Sequence, residues 1–136
     1  FLKKDNKKII IFDNALEQAV ASSSNLNRLD YYIYINKDFP KKNILNNIEA
    51  EMYKDLDNKK NINLKIKKIA EDNEILLIER HKIFCNVDEK ICPSITKEGY
   101  KIYFDYGHIT HKGSEYFAKR IEKNELFLHY LSSNLK

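Results

Sequence analysis

The chain has 136 residues, 43% of them apolar and 32% charged, with 24 basic against 20 acidic residues and a net charge of +4. That is one domain, or a piece of one, with enough apolar residues for a core and an ordinary polar surface. No apolar run approaches the ~18 residues that cross a bilayer, "FLKKDNKK" lacks the apolar segment of a signal peptide, and the basic residues are dispersed as Lys pairs (Lys3–Lys4, Lys7–Lys8, Lys41–Lys42, Lys59–Lys60, Lys67–Lys68) with acids between. A nucleic-acid binder gathers Lys and Arg on one stripe and favours Arg for phosphate, so nucleic acid is not an expected partner. The chain does not begin with Met, and this reads as an excised part of something longer.

In chain order, "KKIIIFDN" (Lys7–Asn14) is an apolar run ending in a turn former, and predicts a buried strand of a parallel sheet. "ALEQAVASSSNLNRLD" starts helical and loosens at Ser22–Ser24. "YYIYINKDFP" (Tyr31–Pro40) is rich in β-formers and stopped by Pro40, which predicts a strand or an extended surface segment. "KKNILNNIEAEMYKDL" sets Ile44, Ile48 and Met52 on one helical face with Leu45 beside them. After a break near Asp57-Asn58, a second helix sets Ile62, Ile66, Ile69 and Ala70 on its inner face. "EILLIER" (Glu74–Arg80) predicts a second buried strand. Strand, helices and strand in this order predict an α/β fold with a parallel sheet and crossover helices.

The two cysteines, Cys85 and Cys92, lie in "CNVDEKIC". Their C-x6-C spacing is not that of a zinc or redox motif. Either they are unrelated buried thiols, or they close a short loop as a disulfide contributing roughly 2–3 kcal/mol on the chain-entropy model. "YKIYF" (Tyr100–Phe104) alternates as a short extended piece, and a helix is expected from Thr110, a good N-cap, with Phe117 and Ile121 inward. "ELFLHYLSSNL" adds a last helical turn or two. Only three glycines occur, all after position 98, which excludes a Gly-rich phosphate loop.

Asp105 and His108, in "DYGHITHKG", have the spacing of an orienting carboxylate and a general base. A base presents one imidazole nitrogen to the nucleophile and needs an anchor on the other, which fixes the tautomer and stabilises the imidazolium. A carboxylate three residues earlier reaches Nδ1 at little entropic cost; Gly107 is expected to permit the turn, and Thr110 to start a helix that holds the loop. The plain alternative is a helix-capping loop. A metal set of Asp105, His108 and His111 is disfavoured by the H-x-x-H spacing, and His81 and His129 are expected to be solvent-facing or packing residues.

The stretch "KIFCNVDEKICPSITKEGYKIYFDYGHITHKGSEYFAKRI" resembles the C-terminal end of an SGNH-hydrolase domain. It is most similar to those fused behind the membrane acyltransferases (acyltransferase family three) that O-acylate bacterial surface glycans. Such domains carry a Cys…Cys pair, an aromatic-rich segment and Asp-x-x-His-Leu-Ser-x-x-Gly opening a helix. Here that run is Asp105-Tyr-Gly-His108-Ile-Thr110-His-Lys-Gly113, with Ile109 for Leu and Thr110 for Ser. The likeness extends weakly back to "KKIIIFDNALE".

The resemblance implies a three-layer α/β/α domain with a flavodoxin-like parallel sheet, incomplete in this chain. It implies a Ser-His-Asp site in which Asp105 orients and His108 is the base, acting on an acyl donor and a glycan acceptor without a cofactor. It also implies a periplasmic or otherwise extracytoplasmic location, which favours the disulfide reading of Cys85 and Cys92. No Gly-Asp-Ser occurs; Asn14 and Ala15 follow the first strand, and Ser22, Ser23 and Ser24 have no neighbouring Gly. The nucleophile is therefore expected on an upstream SGNH segment of the parent protein, between this chain and the membrane acyltransferase domain, leaving this chain alone inactive. Two rivals stand beside O-acyl transfer. One is a carbohydrate or lipid esterase of the same fold. The other is a non-catalytic glycan- or partner-binding module using Tyr31, Tyr32 and Tyr34, whose plainer reading is packing.

Overall fold

The computed structural model describes residues 8–14 and 25–133. Strand β1 (Ile10–Phe12) and strand β2 (Leu76–Ile78) pair in parallel, with Ile10 opposite Leu76 and Phe12 opposite Ile78. The Asp13 N–H extends the ladder to the Ile78 carbonyl at 3.2 Å. Helices α1 (Arg28–Asn36), α2 (Lys42–Lys54) and α3 (Lys60–Asp72) connect the two strands, with a 3-10 turn at Asp55–Lys59 where the break was expected. Helix α4 (Arg80–Phe84) follows β2, and α5 (His111–Ile121) and α6 (Glu125–Ser132) close the chain. This is an α/β arrangement with a parallel pair of strands. Both strands are shorter than their apolar runs, and they are only half covered: Ile78 is buried, whereas Phe12 is exposed.

Tyr31–Pro40 is not extended. Most of it is α1, because the ends of the helix are satisfied locally. The Asn27 side chain accepts the Asp30 N–H at 2.9 Å, Lys37 takes a left-handed conformation (φ 54°), and its N–H returns to the Ile33 carbonyl at 2.8 Å. Capping at both ends, with Leu29 buried, outweighs a β preference that is mostly a statement about packing surfaces. On α3 the expected inner face is also revised. Ala70 is buried and Ile66 half-buried, but Ile62 and Ile69 are exposed. The helical start and serine loop expected between positions 15 and 24 lie outside the described residues.

The core gathers around a covalent bridge. Cys85 and Cys92 form a disulfide, both buried, closing a turn in which Asn86 and Ile91 exchange backbone hydrogen bonds of 2.8 and 3.1 Å. Met52, Phe84, Ile102 and Tyr103 surround the sulfurs, and Phe117 stacks on Phe84 with ring centroids 4.8 Å apart. Buried Glu49 of α2 grips this region from the side. Its Oε1 accepts the Ser94 N–H at 2.8 Å and the Ser94 hydroxyl at 2.9 Å, and its carbonyl accepts the Cys92 N–H at 3.0 Å. Tyr100–Phe104 makes two isolated antiparallel bridges, Lys101 with Ile95 and Tyr103 with Ile109, and is not a full strand; its burial does not alternate, since Ile102 and Tyr103 are both buried and Phe104 is exposed.

Breaking the Cys85–Cys92 bridge frees a short loop in the middle of this core. Replacing both cysteines by Ala is expected to lower unfolding free energy by roughly 2–3 kcal/mol, read from denaturant midpoints. Wild-type protein should lose a similar amount in reductant, and the double variant should be indifferent to it.

Candidate active site: the Asp105–His108 turn

Residues 103–110 form a loop that folds back on the segment it leaves. Tyr103 bridges Ile109, and the Phe104 N–H donates to the His108 carbonyl at 2.8 Å. The Thr110 N–H donates to the Ile102 carbonyl at 2.8 Å, and its hydroxyl donates to the Lys101 carbonyl at 2.6 Å. The same hydroxyl oxygen accepts the Gly113 N–H at 2.9 Å. Thr110 is thus the N-cap of α5 and also the pin that fixes the first turn of α5 to residues 101–102. Gly113 makes the contact possible. A Cβ there would stand 2.1 Å from the Ile102 carbonyl oxygen.

The other side of the loop is braced by the entrance to α1. The Tyr106 N–H donates to the Asn25 carbonyl at 3.3 Å, and buried Asn27 donates its amide to the Tyr103 carbonyl at 3.4 Å. Lys101 pairs with Asp30 at 2.6 Å.

Within this frame Asp105 organises the turn. Its Oδ1 accepts the Gly107 and His108 N–H groups, each at 2.8 Å, and its Oδ2 lies 2.8 Å from His108 Nδ1. The Gly107 N–H, foremost, and then the His108 ring hold the Asp105 carboxyl down at about 2 from an ordinary 3.8. An ionised carboxylate can only accept, so Nδ1 is the donor of this pair, and in the neutral imidazole that tautomer leaves the Nε2 lone pair as the base. The His108 side chain is 76% exposed. Gly107 is not what permits the turn: it does not adopt a left-handed φ, and a Cβ added there meets nothing within 4 Å. The turn is closed by the Asp105 carboxylate.

The described serine hydroxyls are committed elsewhere. Ser94 donates to Glu49, Ser114 to the Thr110 carbonyl, Ser132 to the His129 carbonyl and Ser133 to the Tyr130 carbonyl. Ser22, Ser23, Ser24 and Ala15 lie outside the described residues, and the Asn14 N–H donates to Asn63. His111 turns away from Asp105 and pairs with Glu115 along α5 at 3.1 Å. Among the described residues no group of three His, Cys, Asp or Glu side chains is placed to hold a metal ion.

A second polar cluster escaped the sequence reading. Buried Asp13, at the carboxyl end of β1, accepts the Arg80 N–H at 2.7 Å through Oδ1, while its carbonyl accepts Arg80 Nε at 2.6 Å. His81 Nδ1 lies 3.6 Å from Asp13 Oδ2, so His81 is neither free in solvent nor a packing residue. The cluster ties the end of β1 to the start of α4. The only signal for it in sequence was an aspartate after one strand and a basic pair after the other.

A family model described as SGNH domain (fused to AT3 domains) matches residues 1–123. Comparison with curated proteins and with solved structures gives no match.

Two measurements check the turn. Gly113→Ala should cost at least about 2 kcal/mol, since the neighbour that must yield is backbone, whereas Gly107→Ala should stay within about 0.5 kcal/mol. The Asp105 carboxyl is depressed in the fold, so its contribution is fully present above its ordinary value and is lost as pH falls through about 2. In an NMR titration its midpoint should rise in His108→Ala yet stay below 3.8, because the Gly107 N–H remains.

Proposed function

The chain belongs to the family of SGNH domains fused to AT3 domains, and from that premise we propose that it supplies the base and the orienting carboxylate of a Ser-His-Asp site for O-acyl transfer to a bacterial surface or cell-wall glycan. The observation that carries the reading is the Asp105–His108 pair. The carboxylate fixes the tautomer at Nδ1, 2.8 Å away, and leaves Nε2 open on an exposed edge. In the proposed cycle Nε2 takes the proton of a serine hydroxyl as its oxygen attacks the acyl carbonyl. The imidazolium, stabilised by Asp105, returns that proton to the leaving group. His108 then deprotonates the sugar hydroxyl as its oxygen attacks the acyl-serine, and returns that proton to the serine oxygen as the acyl–serine bond breaks.

The serine and the donors that stabilise its oxyanion belong, in this reading, to a segment preceding residue 1 in the parent protein. Two observations support such a segment. The described serines all bond elsewhere. The two described strands each have an edge with no described partner, and Ile62, Leu64 and Ile69 lie exposed on α3. Further strands and helices against these surfaces would complete a three-layer α/β/α domain. The donor would be an acyl group passed on by the membrane acyltransferase domain, and the disulfide supports a site outside the cytoplasm. The exposure of His108 also leaves room for water as the acceptor, which makes an esterase the second reading.

The test is fluorophosphonate labelling and acyl transfer in the intact protein that carries this chain. The expected result is labelling of a serine upstream of residue 1 that is lost in His108→Ala, with Asp105→Asn slowing turnover by about 10³–10⁴-fold. Labelling that persists in His108→Ala, or no labelling of folded protein, would return the turn to a helix cap. This chain by itself should hydrolyse p-nitrophenyl acetate no faster than its His108→Ala variant.

A further inference from the structure

The lysines that look scattered in sequence converge in the fold. A groove of about 860 Å³ runs along one side of α5, facing residues 93–100, and is lined by Lys82, Lys97, Lys112, Lys119, Arg120 and Lys123. Two carboxylates, Glu98 and Glu115, oppose these six cations. Three of the cations are committed. Lys112 pairs with Glu115 at 2.9 Å, Lys82 with Glu79, and Arg120 donates to the Ile83 carbonyl. Lys97, Lys119 and Lys123 are exposed and have no ion-pair partner within 4 Å among the described residues. Glu98 lies close enough to Lys97 and Lys119 to offset part of their charge.

Charge is joined by an aromatic wall. Tyr100 is exposed at the groove, with the Lys112 ammonium 5.3 Å from its ring centre. Thr96 and Asn124 also line the groove, but both are bonded within the protein: buried Thr96 accepts the Tyr100 N–H at 3.3 Å, and the Asn124 side-chain oxygen caps α6 by accepting the Phe127 N–H at 2.9 Å. Lys112 and Lys119 lie one above the other at a spacing of seven on α5, with Lys123 just past its end. An 11-residue helix is about 16 Å long, so the cations form a row that starts beside the Asp105–His108 turn and leads away from it.

We propose that this groove binds the acceptor chain, and that the acceptor is an acidic, carboxylate-bearing glycan. A concave row of ammonium groups beside an exposed tyrosine ring matches alternating carboxylates and sugar faces. Lysine predominates over arginine, which does not favour nucleic-acid phosphates, and a concave groove does not fit a flat lipid surface. The proposal rests on the glycan-acylation reading above for its biological role; the binding itself does not depend on it.

The experiment titrates a hexameric polyuronate, a neutral glucan hexamer, a DNA hexamer and phosphatidylglycerol vesicles against the intact protein by calorimetry. Lys97→Ala/Lys119→Ala/Lys123→Ala is run alongside, with circular dichroism as the check on folding. The expected result is polyuronate binding that is at least tenfold tighter than the neutral hexamer, weakens with salt, and drops at least tenfold in the folded triple variant. Equal affinity for neutral and acidic hexamers, tighter binding of DNA or vesicles, or unchanged binding in the triple variant overturns it. His108-dependent transfer to a neutral glycan without polyuronate binding would sink this inference and leave the acylation reading standing. Polyuronate binding in a protein with no His108-dependent labelling would do the reverse.

Discussion

The architecture around His108 depends on one close approach, that of the first turn of α5 to the backbone of Ile102. Gly113 has no Cβ to keep the two apart. The approach lets Thr110 serve two partners at once, accepting from Gly113 and donating to Lys101. Residues 103–109 are then a loop held at both ends by the same pair of residues, and its shape is decided by what lies inside it. Asp105 fills that role, collecting two backbone N–H groups and the ring of His108. The orientation of the imidazole is therefore a consequence of helix packing as much as of the aspartate. The side of the loop away from α5 is held by Asn25 and Asn27, so three separate parts of the chain share the task.

The disulfide, Glu49 and the α5 contact form a chain of supports. Glu49 anchors Ser94 and Cys92 to α2, and Ser94 in turn accepts the Ile102 N–H through its carbonyl at 2.9 Å. Ile102 is the residue on which α5 rests. A buried carboxylate is costly unless its hydrogen bonds are met, and here an N–H and a hydroxyl meet one oxygen.

What the sequence disclosed, and what it hid, follows from the range of each interaction. The apolar runs at Ile10–Phe12 and Leu76–Ile78, the Met52 face of α2 and the start of α5 at Thr110 are written in local patterns, and they were legible. So was the closeness of Asp105 and His108, since three residues of spacing nearly guarantee it. Helix α1 was misread because its tyrosines and isoleucines, residues 31–35, argue for a strand, while the deciding groups lie just before them, at Asn27 and Asp30, and just after them, at Lys37. The α3 face was misjudged because periodicity gives a direction, not a covering partner. The Asp13–Arg80–His81 cluster and the lysine groove were invisible for a plainer reason. Each joins residues separated by tens of positions, and only the parallel pairing of β1 with β2 or the packing of α5 against residues 93–100 brings them together.

The parallel pairing of β1 with β2 carries a consequence for how such a protein is made. Sixty-three residues separate Phe12 from Leu76, so the ladder cannot form until all of α1, α2 and α3 has been synthesised. Non-local parallel contacts of this kind close slowly. Until they do, two short apolar strands with open edges are available to other chains, the situation in which intermolecular strand pairing competes with folding. The polar cluster at the strand ends then acts as a latch after closure. Asp13 accepts from Arg80 only in the correct register, and a slipped pairing would leave its buried carboxylate without that partner.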